Sequence, residues 1–219
     1  MWMSTDEQFA AWDQPAVTDS DLLAEFAGRA CYQSWSRPNP ETRANADYIK
    51  ATVAEKSHES IVSHASATYY ITGVSRNLTH EMLRHRWLAF SEMSQRYVWP
   101  ESFEAVIPPA LDGGFRDLED DLVGELEFAK DTYEQIANRL VENGFTLKQA
   151  REAARAVLPG GTETRIVVTG NLRAWRDFIG QRYSPHADAE IRELAYVLLC
   201  DLRRLAPATF ADIPLALSA

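Results

Sequence analysis

Two short β-branched segments, set among helical segments, constrain the fold of this chain more than any other feature. Ser66–Val74 (SATYYITGV) and Thr162–Thr169 (TETRIVVT) are rich in β-branched and aromatic residues, a composition that favours strands. The other periodic segments repeat their apolar residues at helical spacing. Because the strands do not alternate with helices in a regular βαβ rhythm, the sequence predicts an α+β fold, with an antiparallel or mixed sheet packed with long helices.

Apolar residues at helical spacing, together with capping residues, predict a series of helices around these two strands. Ser20 or Asp19 is expected to cap the first helix, Ser75 the third and Asn171 the sixth. The segment Leu88–Trp99, after the third helix, is expected to be irregular or partly extended. The predicted helices cover residues 19–30, 45–56, 76–87, 118–143, 146–157, 172–183 and 187–205.

Length and charge limit the organisation of the chain and its partners. With 219 residues, no internal repeat and no Gly/Ser-rich linker, the chain is expected to form one domain over residues 1–219. Apolar residues make up 46% and charged residues 25%, which is typical of a globular protein. The net charge of −10 argues against nucleic acid or an anionic membrane as a partner.

The cysteines and the N-terminal sequence favour a cytoplasmic protein. Cys31 and Cys200 are too few for a disulfide framework, so free thiols in a reducing compartment are expected. Cys200 lies in an apolar helical stripe and is expected in the core, while Cys31 is expected to be inert. The first residues lack the basic and apolar regions of a signal peptide.

Several standard motifs are absent from the sequence. There is no G-x-G-x-x-G, no Walker phosphate loop and no G-x-S-x-G nucleophile elbow. His58-Glu59 begins like a zincin helix, but Val62 stands where the second histidine is required. His58 and His64 have no third ligand nearby, so no metal site is expected.

Arginine accounts for 18 of the 22 basic residues and is concentrated in two regions that also contain other polar groups. In the first, Arg84-His85-Arg86 stands at the end of a predicted helix and precedes hydroxyls, a carboxylate and a guanidinium within Ser91–Arg96. In the second, Asn171, Arg173 and Asp177 precede Arg182 and His186. Guanidinium groups suit bidentate recognition of anions, but each region alone is equally consistent with charged helix ends and surface pairs.

Taken together, these regions resemble one family. Arg84-His85-Arg86, seven further residues and then Ser94 is similar to the R-H-R-x7-S signature of the flavin-dependent thymidylate synthase (ThyX) family, and Arg96 follows as in that family. The resemblance covers about residues 20–212, in the order of the family. It extends to His58-Glu59-Ser60 with His64, Ser75-Arg76, the segment AARAVLP at 153–159, and Asn171-Leu172-Arg173 with Arg182 and His186.

The resemblance implies an FAD-dependent methyltransferase that converts dUMP to dTMP. The carbon donor would be 5,10-methylenetetrahydrofolate, and NADPH would supply reducing equivalents through FAD. The implied FAD-binding residues are Ser60, Arg84, His85, Arg86, Glu92, Asn171, Arg173 and Asp177. The implied dUMP-binding residues are Glu81, Arg84, Glu92, Ser94, Arg96, Arg155 and Arg182.

Within this assignment, Arg182 would act on the uracil and Ser94 would bind it. A guanidinium stays protonated, so Arg182 would stabilise negative charge on the ring rather than act as a base. Ser94 would be a hydrogen-bond donor, since a serine nucleophile needs an adjacent base and only Glu92 and His85 are near in sequence. His186 could bind or only orient its loop.

The family also implies a homotetramer with shared active sites, in which Glu81, Arg84 and Arg155 reach a neighbouring subunit's dUMP. The sequence departs from the family at Ser63, where a carboxylate is common, and has Glu81 where glutamine also occurs. The competing interpretation is a non-catalytic nucleotide- or flavin-binding module that uses the same arginines.

Overall fold

A computed structural model describes residues 17–98 and 103–216, and these ranges contain helices and a three-stranded sheet. The α+β prediction is confirmed. None of the helices in these ranges has the length and apolar character needed to cross a membrane. The elements are α1 (Asp19–Tyr32), α2 (Asn45–Ile49), β1 (Ser66–Ser75), α3 (Arg76–Met82), β2 (Ala89–Glu92), α4 (Arg116–Glu142), α5 (Leu147–Ala154), β3 (Glu163–Asn171), α6 (Leu172–Arg182) and α7 (Ala189–Leu205).

The two strands that the sequence predicts are neighbours in the sheet, whose order is β1-β3-β2. The central strand β3 is mostly buried, with Ile166 and Val168 fully inside, which agrees with its β-branched composition. The edge strand β2 falls in the segment expected to be partly extended. The last residue of that segment, Trp99, lies outside the described residues.

The chain divides into two compact units. The first contains the chain up to Ala67, Thr169–Asp188 and the chain from Arg192 onward, while the second contains Thr68–Val168 and Ala189–Ile191. A single domain over residues 1–219 therefore stays a prediction.

Each unit has its own apolar core. In the first, Trp175 and Phe178 of α6 are fully buried in edge-to-face contact, and the indole N–H of Trp175 donates to the carbonyl of Ala67. In the second, Tyr133 and Ala137 of α4 pack against buried alanines of α5. Small residues on α5 allow the close approach of α4.

Local structure differs from the sequence prediction at three points. Thr18, rather than Ser20 or Asp19, caps α1 by accepting from the backbone N–H of Asp21. The helix α3 ends at Met82 and not near Trp87, because the chain turns there to bury His85 and enter β2. Cys200 is half-buried in α7 and is not a core residue.

Two further predicted helices are each followed by a turn of a different helix type. The helix predicted over 45–56 continues beyond α2 as a π-helical turn, Lys50–Ala54. The helix α5 has a capping box, in which Thr146 and Gln149 bond reciprocally, and a 3₁₀ turn at Arg155–Val157 follows it. Short 3₁₀ turns also lie at Pro40–Thr42 and Glu59–Ser63.

Candidate functional site

The Arg84-His85-Arg86 segment lies in the turn between α3 and β2. His85 is only 5% exposed, whereas Arg84 and Arg86 are exposed. The backbone N–H of His85 donates to the carbonyl of Met82, and the N–H of Leu88 donates to the carbonyl of His85. Burial of the central histidine thus fixes the turn and leaves a guanidinium at the surface on each side of it.

Glu92, at the end of β2, is held by two residues of α3. The hydroxyl of Thr79 donates to Glu92 Oε1 at 2.7 Å, and Arg76 Nη1 lies 3.3 Å from Oε2. Arg76 Nη2 also donates to the carbonyl of Met93 at 2.6 Å. Both carboxylate oxygens of Glu92 are therefore engaged, which fixes its position and makes it unsuited to act as a base for Ser94.

Sequence reasoning missed Arg76 and Thr79 as site residues. They lie three apart on α3, so they share a helix face, and this spacing was the available signal. The predicted cap at Ser75 is confirmed, since its Oγ accepts from the N–H of Leu78 at 3.1 Å. Glu190 in turn accepts from both the N–H and the hydroxyl of Ser75, at 2.7 and 2.6 Å, which anchors the start of α3.

The loop after β2 carries Ser94 and Arg96 and is tied to α5. Ser94 Oγ accepts from the backbone N–H of Arg96 at 3.4 Å, which leaves its own O–H available to donate. Arg151 of α5 donates to the carbonyl of Tyr97 at 2.8 Å, and Glu152 lies 3.8 Å from Arg96. The exposed Arg155 begins the next turn after α5. Arg155 thus directly follows the helix that holds this loop.

In the first unit, Asn171 and Arg173 lie at the start of α6. Asn171 caps the helix as predicted, because its Oδ1 accepts from the N–H of Ala174 at 2.8 Å, and its amide –NH₂ remains as a donor. Arg173 Nε lies 3.6 Å from Glu59, on the 3₁₀ turn that also carries the exposed Ser60. Asp177 accepts from the side chain of Gln181.

Residues 206–215, which we term the C-terminal strap, contact α6 at two points. Arg176 forms a bidentate pair with Asp212, at 2.7 and 2.8 Å, and also donates to the carbonyl of Thr209. Burial alone would lower the pKa of Arg176, but Asp212 and Glu59 outweigh it and raise the pKa above its usual value. The Tyr183 hydroxyl donates to the carbonyl of Leu215 at 2.5 Å.

The remaining predicted residues differ in their exposure. Arg182 is the half-buried last residue of α6, and Glu81 is half-buried on α3. His186 is exposed, and its backbone N–H donates to Ser184 Oγ. Across residues 17–98 and 103–216, no group of three or more histidine, cysteine or acidic side chains is arranged to hold a metal ion.

The predicted residues thus fall into two sets, one in each unit. The second unit brings together the turn between α3 and β2, the loop after β2 and α5. The first unit contains the 3₁₀ turn of Ser60 and the whole of α6. The first set consists of Ser60, Asn171, Arg173, Asp177 and Arg182, and the second of Glu81, Arg84, His85, Arg86, Glu92, Ser94, Arg96 and Arg155.

Comparison with known proteins identifies the family of the chain. Residues 15–208 match the family described as thymidylate synthase complementing protein. A flavin-dependent thymidylate synthase of Mycobacterium avium (strain 104) is 51% identical over 215 residues, which cover 93% of this chain and 85% of that protein. One from Mycobacterium tuberculosis (strain ATCC 25618 / H37Rv) is 50% identical over 211 residues, 91% of this chain and 83% of that protein. The chain therefore belongs to the flavin-dependent thymidylate synthase family, as its R-H-R-x7-S segment indicates.

Proposed function

We propose that this protein methylates dUMP reductively to dTMP, with 5,10-methylenetetrahydrofolate as carbon donor, NADPH as reductant and FAD as cofactor. The observation that carries this proposal is the fixing of Glu92 by Thr79 and Arg76, immediately before Ser94 and Arg96. A carboxylate, a hydroxyl and a guanidinium held on one short segment match the polar edges and the phosphate of a nucleotide.

The dUMP pocket is assigned to Glu81, Arg84, Glu92, Ser94, Arg96, Arg155 and Arg182. Ser94 donates its hydroxyl to the substrate. Within residues 17–98 and 103–216, the Ser94 hydroxyl makes one hydrogen bond, the long one it accepts from the N–H of Arg96, which supports a binding role. The guanidinium groups of Arg96 and Arg155 suit the phosphate, which a carboxylate would repel.

The FAD site is assigned to Ser60, Arg84, His85, Arg86, Glu92, Asn171, Arg173 and Asp177. This donor set fits the cofactor, since the exposed Arg84, Arg86 and Arg173 suit its pyrophosphate and the free amide donors of Asn171 suit a polar ring edge. The N-terminus of α6, on which Asn171 and Arg173 lie, also favours negative charge. When bound, FAD supplies the redox chemistry of the reaction.

Arg182 is the residue that we assign to the uracil ring. Its guanidinium remains protonated at neutral pH, so it holds its charge against the ring throughout turnover. Negative charge that develops at N3 and O4 of the uracil is stabilised by that fixed cation. Arg182 therefore lowers the barrier electrostatically and moves no proton itself.

The active form is proposed to be a cytoplasmic homotetramer with shared active sites. Glu81, Arg84 and Arg155 would contact dUMP bound to a neighbouring subunit. Their position at the surface or partly exposed supports such a contact. The free thiols of Cys31 and Cys200 fit a reducing compartment.

Substitution of Arg182 tests the function. Purified wild-type protein should carry FAD and convert dUMP to dTMP when methylenetetrahydrofolate and NADPH are supplied, with the product measured by chromatography. R182Q should retain FAD and lose most of its turnover. R204Q, which changes an exposed arginine of α7 outside both residue sets, is the matched control and should keep full activity. A wild-type protein that binds FAD and dUMP without forming dTMP would identify a binding module instead.

A further inference from the structure

Glu59 lies between two arginines of α6, one exposed and one largely buried. Its Oε2 lies 3.6 Å from Arg173 Nε, and its Oε1 lies 3.7 Å from Arg176 Nε. The Arg173 side chain is 56% exposed and that of Arg176 is 10% exposed. Both distances allow Coulombic attraction but exceed the length of a hydrogen bond. The carboxylate is therefore shared by the two arginines.

The terminal nitrogens of Arg176 bind the C-terminal strap. Asp212 accepts hydrogen bonds from both of them, and the carbonyl of Thr209 accepts from one. The Nε–H of Arg176 is buried and has no hydrogen-bond partner among the described residues. Because an unsatisfied buried donor is unfavourable, a closer approach of Glu59 to this Nε–H would be favourable.

We propose that the Glu59 carboxylate changes its ion-pair partner from Arg173 to Arg176 when an anionic ligand binds to Arg173. Before binding, Glu59 balances the charge of Arg173. As Arg173 turns to the ligand, Glu59 closes on the Nε–H of Arg176, which satisfies that donor and gives the carboxylate a partner other than Arg173. The proposal rests on the assignment of Arg173 to FAD, so the anion is the pyrophosphate of the cofactor. Arg176 is thus a positioning residue, with Asp212 of the C-terminal strap fixing it in place.

FAD titration of the apoprotein, followed by flavin fluorescence, directly tests this change of partner by Glu59. In R176Q the Glu59 carboxylate has no second cation, so it competes with the pyrophosphate for Arg173 and repels it. We expect FAD to bind about fivefold more weakly, the effect of losing roughly 1 kcal/mol of partly exposed ion pairing. The double variant R176Q/E59Q removes the competing carboxylate and should regain the wild-type affinity. A double variant that binds no better than R176Q would overturn the proposal, because a structural defect is not rescued by E59Q.

Two further variants separate this role from a general loss of stability. E59Q alone leaves Arg176 and the strap intact and should bind FAD at least as tightly as the wild type. Weaker binding by E59Q would contradict the proposal. Arg203 donates to the carbonyls of Phe210 and Ala211 in the same strap, so R203Q should lower thermal stability without changing FAD affinity.

FAD binding by the wild type separates failure of the proposed function from failure of this inference. If the wild type takes up no FAD, the proposed function is wrong and this inference falls with it. If the wild type binds FAD but R176Q binds equally well, only the inference is wrong.

Discussion

Removal of the Thr79 hydroxyl tests one of the two contacts that hold Glu92. Thr79 is 1% exposed, and valine fills the same volume without the donor, so T79V leaves Glu92 Oε1 without its 2.7 Å hydrogen bond. We expect the free energy of unfolding to fall by about 1–3 kcal/mol and the KM for dUMP to rise. Urea denaturation and steady-state kinetics measure the two effects.

T132V is the matched control for this change. The Thr132 hydroxyl donates to the carbonyl of Phe128 within α4 and has no part in holding Glu92, so both quantities should change little. If T79V lowered stability while the KM for dUMP stayed at the wild-type value, Glu92 would not depend on Thr79 for substrate binding.

The sequence proposes individual site residues where a motif fixes their spacing, as for Arg84, Ser94 and Arg96, and these assignments stay predictions. The residues that position them could not be predicted in this way. Thr79 and Glu92 are 13 apart, and Arg176 and Asp212 are 36 apart, so each pair meets only when separate elements pack together. No local period or cap marks such a pair.

Two substitutions at the start of α1 test which residue caps this helix. Thr18 Oγ1 accepts from the N–H of Asp21, so T18A should lower the free energy of unfolding by about 1 kcal/mol. S20A changes the residue that the sequence favoured as cap, yet Ser20 lies inside α1 and should have an effect below about 0.5 kcal/mol. Urea denaturation of both variants decides between the two positions. A larger loss in S20A than in T18A would restore the sequence prediction.

The C-terminal strap should make part of the stability depend on pH. Hydrogen bonds from Arg176 lower the pKa of Asp212 below its usual 3.8. A carboxyl with a lowered pKa in the folded state stabilises the fold above the unfolded-state pKa, and this contribution is lost as the pH falls through the folded-state value. The difference in unfolding free energy between the wild type and D212N should therefore be largest near neutral pH and shrink below 3.8.

Denaturant titrations over a series of pH values measure that difference. Burial raises the pKa of Asp21, which also contacts the strap, so Asp21 acts in the opposite direction. Asp21 is present in both proteins, and its effect cancels in the comparison. A difference that stays constant across the acid range would show that Asp212 gains no stability from its charge.

At the scale of the whole molecule, the α+β class could be predicted because only two segments have strong strand character. The third strand, Ala89–Glu92, could not, since four residues at a sheet edge carry too little pattern. The division into two compact units was also beyond reach, because the chain passes between them without a linker of distinctive composition.

The proposed homotetramer predicts that an exposed apolar face of α4 is buried between subunits. Phe128 is 69% exposed and borders a groove that Val157 and Pro159 also line, close in sequence to Arg155, which we assign to a neighbouring active site. A charge at Phe128 would have to be desolvated in such an interface. F128D should therefore reduce the mass from about four times 24.7 kDa to a smaller species and lower dTMP formation, as measured by light scattering and by product assay. N138D adds the same charge to the exposed Asn138, roughly a quarter turn around α4 from Phe128, without removing an apolar side chain, and should leave both the mass and the activity unchanged. An F128D protein that remains tetrameric and active would place the subunit contact on another face.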